Sequence, residues 1–160
     1  MATQRCNCSF LGDAANPERC RCTPAQIQHY RSKLSGPLLD RIDMHIEVPR
    51  VPQEILIAPS PEDELTSDQI RQRVEEVQEL QKSRQGCLNS KLSPKQVDEF
   101  CALDAGSQNL INAAMLKLGI SARGYHRILK LARSIADLDK SEPIQQLHLA
   151  QAIQLRNLDR

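Results

Sequence analysis

Residues Leu34–Val51 read LSGPLLDRIDMHIEVPRV, and this stretch decides how the rest of the chain is understood. Gly36-Pro37 stops whatever helix precedes it. Ile42, Met44, Ile46 and Val48 then alternate with Asp43, His45 and Glu47 before Pro49. A period of two predicts a strand with one buried face, ended by the proline. One strand cannot be a sheet, because its backbone donors and acceptors need partners. Unless the following linker or the N-terminal segment supplies them, residues 1–50 read as the end of a larger domain whose other strands are absent from this sequence.

Upstream, RCNCSFLGDAANPERCRCT (residues 5–23) puts Cys6, Cys8, Cys20 and Cys22 into two Cys-x-Cys pairs separated by eleven residues. No apolar stretch approaches the roughly 20 residues needed to span a membrane, and the N-terminus has no apolar core of a secretory signal. The expected compartment is therefore the cytoplasm, with no membrane partner. Thiols stay reduced there, so metal binding outranks disulfides for the cluster, with free thiols the second alternative. Four thiolates can close a tetrahedral structural Zn²⁺ site, although Cys-x-Cys is tighter than the usual spacing. His29 is a minor alternative ligand; Cys87 and Cys101 read as ordinary thiols. His45 falls on the polar face of the expected strand, and His126 and His148 read as solvent or interhelical residues.

Three helix starts share one signature. Thr23–Gln26 (TPAQ), Thr66–Gln69 (TSDQ) and Ser93–Gln96 (SPKQ) are capping boxes. The hydroxyl can accept from a free first-turn N–H while the glutamine bonds back to the cap. Helices should begin near 24, 67 and 94. Four of the nine prolines fall in residues 49–65, which marks a linker. The helix from 67 to about 84 has a narrow apolar stripe of Ile70, Val74, Val77 and Leu80. Further on, Ile128, Leu131, Ala132, Ile135 and Leu138 form a broad face, and Ile144, Leu147, Leu149, Ala152, Ile153 and Leu155 another. The second half is expected to be a bundle of about five helices.

Lys and Arg total 21 against 20 Asp and Glu, for a net charge of +1, which argues against a protein that coats nucleic acid. Aromatic residues are 2% with no Trp, so there is no base-stacking platform.

With LSPKQVDEFCALD and LGISARGYHRILKLARSIADL, the opening stretch resembles the bacterial magnesium-chelatase-like AAA+ ATPases, and within them the competence-associated branch of ring motors implicated in DNA branch migration. The resemblance runs from about Cys6 to Arg160. It implies a mainly α chain: residues 1–50 as the end of an AAA+ α/β core bearing the cysteine cluster, 51–66 as linker, and 67–160 as the C-terminal helical lid. Arg41 is at the position of the arginine finger that completes a neighbouring subunit's ATP site; its plain alternative is a surface arginine paired with Asp40 or Asp43. Arg123 is at the position of the sensor-2 arginine, which touches nucleotide in its own subunit, with Arg127 one turn on as fallback. Cys6, Cys8, Cys20 and Cys22 match the family's cysteine cluster, with Asn7 and Ser9 in place of its usual Pro and Gly. Gln4 stands where the family has an asparagine, and that role is not carried over.

The resemblance further implies ATP and Mg²⁺ in the full-length context, a homo-oligomeric ring, and DNA as partner, with Arg5, Arg19 and Arg21 available for phosphate contacts. A phosphate-cradling loop needs G-x-x-x-x-G-K-[ST]. Gly119 and Gly124 have the spacing but are followed by Tyr125-His126, so the chain alone is expected to be inactive. Rival readings are a piece of a metal-chelatase motor subunit and a standalone zinc-stapled binding module.

Overall fold

The computed structural model describes residues 6–13, 17–49, 51, 55, 57 and 64–156. The chain divides into two compact units, one made of residues 1–41 and 46–64, the other of 42–45 and 65–160. The linker expected at 51–66 lies largely outside the described residues, as do Gln4 and Arg5.

In the first unit, a turn at Cys6–Asp13 is closed by Ser9 N–H donating to the Cys6 carbonyl (3.2 Å) and Asp13 N–H to that of Phe10 (3.1 Å). A 3₁₀ turn follows at Pro17–Arg19. Helix α1 (Pro24–Ser32) starts where expected, with the reciprocal Thr23–Gln26 capping box and Pro24 in the first turn. Helix α2 (Gly36–Leu39) is a single turn capped by Ser35, whose hydroxyl accepts from Leu38 N–H. Cys6 is the only buried residue among those described in this unit. The unit therefore has no described apolar core.

The second unit is a bundle of α3 (Ser67–Gln85), α4 (Pro94–Phe100), α5 (Ala105–Leu118), α6 (Ala122–Leu138) and α7 (Gln146–Gln154). Capping boxes at Thr66–Gln69 and Ser93–Gln96 set the starts of α3 and α4. Gly86 and Gly119 end α3 and α5 in the left-handed conformation, which only glycine adopts without strain. Helix α6 packs on α3, α4, α7 and the 3₁₀ turn at Asn89–Lys91, while α5 packs on α7. Val97, Ile111, Ile128, Leu129, Ala132, Ala136, Ile144, Leu149 and Ala152 are buried between them.

Not every residue of the expected faces is inside. Leu147 and Leu138 are exposed, and the stripe of α3 is open at Ile70, Val74 and Leu80. Burial on α6 instead takes in Arg133 and Asp137. The Asp137 carboxylate accepts from Arg84 (2.6 and 3.1 Å), from Arg133 Nε (3.0 Å) and from Asn89 Nδ2 (2.8 Å). Arg133 also donates to the carbonyls of Ser141 and Glu142. Asn89 N–H donates to the Gln81 side chain, so the last turns of α3, the 3₁₀ turn and α6 meet at one carboxylate.

The mainly α fold agrees with expectation, but the strand at 42–48 does not form. No β-ladder exists among the described residues; the segment carries a bend at Asp43 and no regular secondary structure. Ile46 is 67% and Val48 83% exposed. The alternating pattern is real in sequence, but a strand without a neighbour has no ladder to join and no sheet face to bury. His45 also departs from expectation: its ring nitrogens are shielded and lack a hydrogen-bond partner among the described residues. Burial lowers its pKa below the usual 6.5. His148 is buried rather than solvated, with Nδ1 accepting from Gln145 N–H (3.1 Å) and Nε2 3.3 Å from Asp139.

Burial pushes the Asp137 carboxyl up, but Arg84, Asn89 and Arg133 outweigh it and hold its pKa below 3.8. Removing one partner of a buried pair leaves an uncompensated charge, so Asp137→Asn should destabilise the chain by roughly 3–5 kcal/mol in urea unfolding. Glu79→Gln, at an exposed pair with Lys82, should cost about 0–1 kcal/mol. Because the folded pKa is depressed, the Asp137 contribution is complete above the unfolded value and is lost as pH falls below about 3.8. Acid titration of Asp137→Asn should show a smaller loss of stability across that window than the parent chain.

Candidate functional site

The two Cys-x-Cys pairs are brought together. The Sγ atoms of Cys6, Cys8, Cys20 and Cys22 all lie within 4.8 Å of one another. Cys6 and Cys8 are 3.2 Å apart, Cys8 and Cys20 3.6 Å, and Cys6 and Cys20 3.9 Å. All four are free thiols, at separations well beyond the ~2.05 Å of a disulfide. Metal–sulfur bonds near 2.3 Å in a tetrahedron put sulfurs about 3.8 Å apart, so the four donors fit one ion. A multinuclear iron–sulfur core, which interposes several irons and sulfides, would hold its cysteines farther apart. His29 is exposed on α1 and does not belong to the group.

Local chain geometry explains how the tight spacing works. Ser9 has φ 65° and Gly12 φ 84°, so the chain reverses directly after Cys8 and returns its sulfur beside that of Cys6. Left-handed backbone is costly for serine and free for glycine. The second pair is carried in by the 3₁₀ turn before Cys20 and by the extended approach to the Thr23 cap. Arg19 lies 4.1 Å over the Phe10 ring, packing the two arms together. Arg19 and Arg21 are exposed beside the cluster.

The thiols do not share charge equally. Burial raises the Cys6 thiol, but hydrogen bonds from the Cys8 side chain and from the Leu11 and Cys8 backbone outweigh it, bringing its pKa to about 6. Cys22 is pushed up to about 11, first by its hydrogen bond to Cys8 and then by burial. One thiolate in the group disfavours the next. A cation is what would let all four ionise together, and the arrangement could hold one. Away from the cluster, burial drives Cys101 up to about 11 against the opposing pull of Arg133 and Arg84, an inert core thiol as expected.

The two arginines singled out in sequence lie at the surface. Arg41 follows the single turn of α2, is exposed, and donates from Nη1 to the Pro37 carbonyl (3.2 Å). Arg123 is the second residue of α6, exposed, with no ion pair to another described residue. Arg127, one turn on, is engaged: it pairs with Asp43. Arg156, just after α7, donates from Nη1 to the carbonyls of Ile42 (2.8 Å) and Asp43 (3.3 Å). His45 N–H donates to the Leu155 carbonyl. Residues Ile42–His45 are thus tied to the ends of α6 and α7 within the second unit. Charged donors to carbonyls contribute about 1.5–3 kcal/mol and an exposed ion pair about 0–1 kcal/mol, so Arg156 is the stronger tie. Neither Asp43 nor Arg156 was marked by any local signal, since their partners lie 84 and 114 residues away.

Comparison with known proteins agrees with this division of features. The family profile described as magnesium chelatase, subunit ChlI C-terminal, matches residues 64–156, and that described as magnesium chelatase, subunit ChlI, matches residues 1–56. Competence protein ComM of Haemophilus influenzae is 44% identical over 88% of this chain and 27% of its own length. The YifB protein of Escherichia coli is 39% identical over 88% of the chain and 28% of its own length. Protein Mb2921c of Mycobacterium bovis is 30% identical over 86% and 27%, respectively. The chain spans little more than a quarter of the length of these relatives. No helix among the described residues is long and apolar enough to cross a membrane. With one profile matching residues 64–156, more than half of the sequence, and the other matching residues 1–56, the chain belongs to the magnesium chelatase ChlI family.

Proposed function

We propose that this chain serves as the C-terminal part of a ring-forming AAA+ ATPase that acts on DNA in the cytoplasm, with residues 1–50 as core end, 51–66 as linker and 67–160 as lid. Arg41 is the finger presented to a neighbouring subunit and Arg123 the sensor of nucleotide in its own. ATP with Mg²⁺ supplies the transferable phosphoryl group; the chain supplies guanidinium charge. Charge spreads over the γ-phosphoryl oxygens as the bond to the leaving group breaks, and a finger is worth roughly 10³–10⁵ in rate. The observation that carries this reading is that family matches embrace both arginines while both side chains stand exposed at the ends of short or starting helical turns.

The 160 residues contain no G-x-x-x-x-G-K-[ST], so the purified chain should not turn over ATP above contaminant level. Added to a family ATPase with an intact phosphate loop but its own finger changed to alanine, the chain should restore turnover, and Arg41→Ala should abolish the restoration. Turnover by the isolated chain, or restoration indifferent to Arg41, would sink the reading. The relative bearing the name competence protein favours a DNA substrate over a chelatase partner; Arg19 and Arg21 are the phosphate contacts this implies. Binding of branched DNA, against binding of a chelatase partner, separates the two. A stable monomer with a partner of its own and no effect on any ATPase would instead support the zinc-stapled module.

Within that reading Cys6, Cys8, Cys20 and Cys22 hold a structural Zn²⁺. The supporting observations are the sulfur separations and a unit whose only described buried residue is a cysteine. Small units that lack a core are held by such staples. Protein purified without added zinc should carry about one equivalent; less than about 0.2, unchanged by four Cys→Ser substitutions, ends the idea. Ser9→Gly should retain the metal and raise thermal stability, since it relieves a left-handed residue worth about 1–2 kcal/mol.

A further inference from the structure

Helix α6 carries Arg123 in its first turn and Arg127 one turn later. Arg127 pairs with Asp43, two residues beyond Arg41. Arg156, at the end of α7, holds the carbonyls of Ile42 and Asp43, the first two residues beyond it. His45 N–H closes the same segment onto Leu155. Ile42–His45 accordingly belongs to the helical unit, although the sequence on either side of it does not. The segment contributes nothing to the buried apolar cluster: Asp43 and Met44 are exposed, and Ile42 and His45 are half-buried. The tie consists of two guanidinium groups and one backbone hydrogen bond.

We propose that Arg127 and Arg156 are positioning residues for Arg41: they clamp the four residues that follow it, Ile42–His45, to the ends of α6 and α7, which fixes the backbone immediately beyond the guanidinium-bearing residue. The inference rests on the reading of Arg41 as the finger. The interaction at Asp43–Arg127 is an ion pair whose charges can be exchanged, whereas Arg156 donates to main-chain carbonyls. Reversing the first is therefore a clean test, while Arg156 needs a loss-of-donor variant.

The His45 amide reports the clamp directly, because its hydrogen bond to Leu155 is exposed to exchange whenever the segment lifts. In the 160-residue chain, Arg156→Ala should speed exchange at His45 by about tenfold or more, and Arg127→Asp and Asp43→Arg by about threefold to fivefold. Arg127→Lys should stay within about twofold of the parent, and the double variant Asp43→Arg with Arg127→Asp should return most of the protection. Unchanged thermal melting of the bundle in each variant shows that the effect is local. In the restoration assay with a finger-less family ATPase, Arg127→Asp should lower kcat with little change in KM for MgATP, because a finger acts on the transition state; Arg127→Lys should recover it. Exchange at His45 that ignores all three single variants overturns the clamp. Restoration that is lost with Arg41→Ala but indifferent to Arg127→Asp and Arg156→Ala overturns the positioning role while leaving the finger intact. A chain in which Arg41→Ala has no effect overturns the finger, and this inference with it.

Discussion

The Asp137 carboxylate is the constraint on which the helical unit depends. It is fully enclosed, and an enclosed carboxylate is tolerable only if its oxygens are paired. Two arginines and one asparagine do this. Each comes from a different place: Arg84 from the last turn of α3, Asn89 from the turn after it, and Arg133 from one turn before Asp137 on α6. Satisfying one side chain therefore fixes the angle at which α3 leaves the bundle. It also explains how a mostly polar helix can be held at its C-terminal end while Ile70 and Val74 near its start remain exposed. The α3 stripe is too narrow to anchor the helix by apolar burial; the ion network does so instead.

The smaller unit faces the opposite problem. Its described residues bury a thiol and nothing else, yet four sulfurs converge to a few ångströms. Bringing thiols together gains little by itself, since ionising one discourages the others, as the split between Cys6 near 6 and Cys22 near 11 expresses. Backbone entropy of about 1–2 kcal/mol per ordered residue is not offset by such contacts. A bound cation would reverse the sign of the thiol interaction, and the four sulfurs are close enough to hold one.

Legibility in the sequence divides along the range of the interactions. The starts of α1, α3 and α4 were readable to the residue because a capping box is complete within four positions: Thr23–Gln26, Thr66–Gln69 and Ser93–Gln96 each form both expected bonds. The cysteine group was readable because its members are few and chemically singular. The strand at 42–48 was misread because alternation states what a segment could do beside a neighbour, and the described residues provide none. The Asp137 network was invisible for the same reason in reverse: Arg133 and Asp137 look like an ordinary surface i,i+4 pair, and only Asn89, 48 residues away, and Arg84, 53 away, make them a core. For His148 the interhelical alternative holds: Nε2 faces Asp139 at the end of α6, while Nδ1 accepts from Gln145 N–H.

The stretch from Leu34 to Val51 shows how these scales meet. Its first half obeys local rules: Ser35 caps one turn, and Arg41 returns to the Pro37 carbonyl across that turn. Its second half obeys none, because the apolar residues Met44, Ile46 and Val48 face outward. Between the halves, Ile42–His45 is governed by arginines more than eighty residues downstream. Hydrophobic burial contributes little to fixing that middle piece, since Asp43 and Met44 are exposed and Ile42 and His45 only half-buried. Directional, charge-assisted hydrogen bonds to main-chain carbonyls can do it, because they require no side-chain complementarity from the segment they hold. Such a tie specifies where the backbone runs and leaves the neighbouring side chains available for other work.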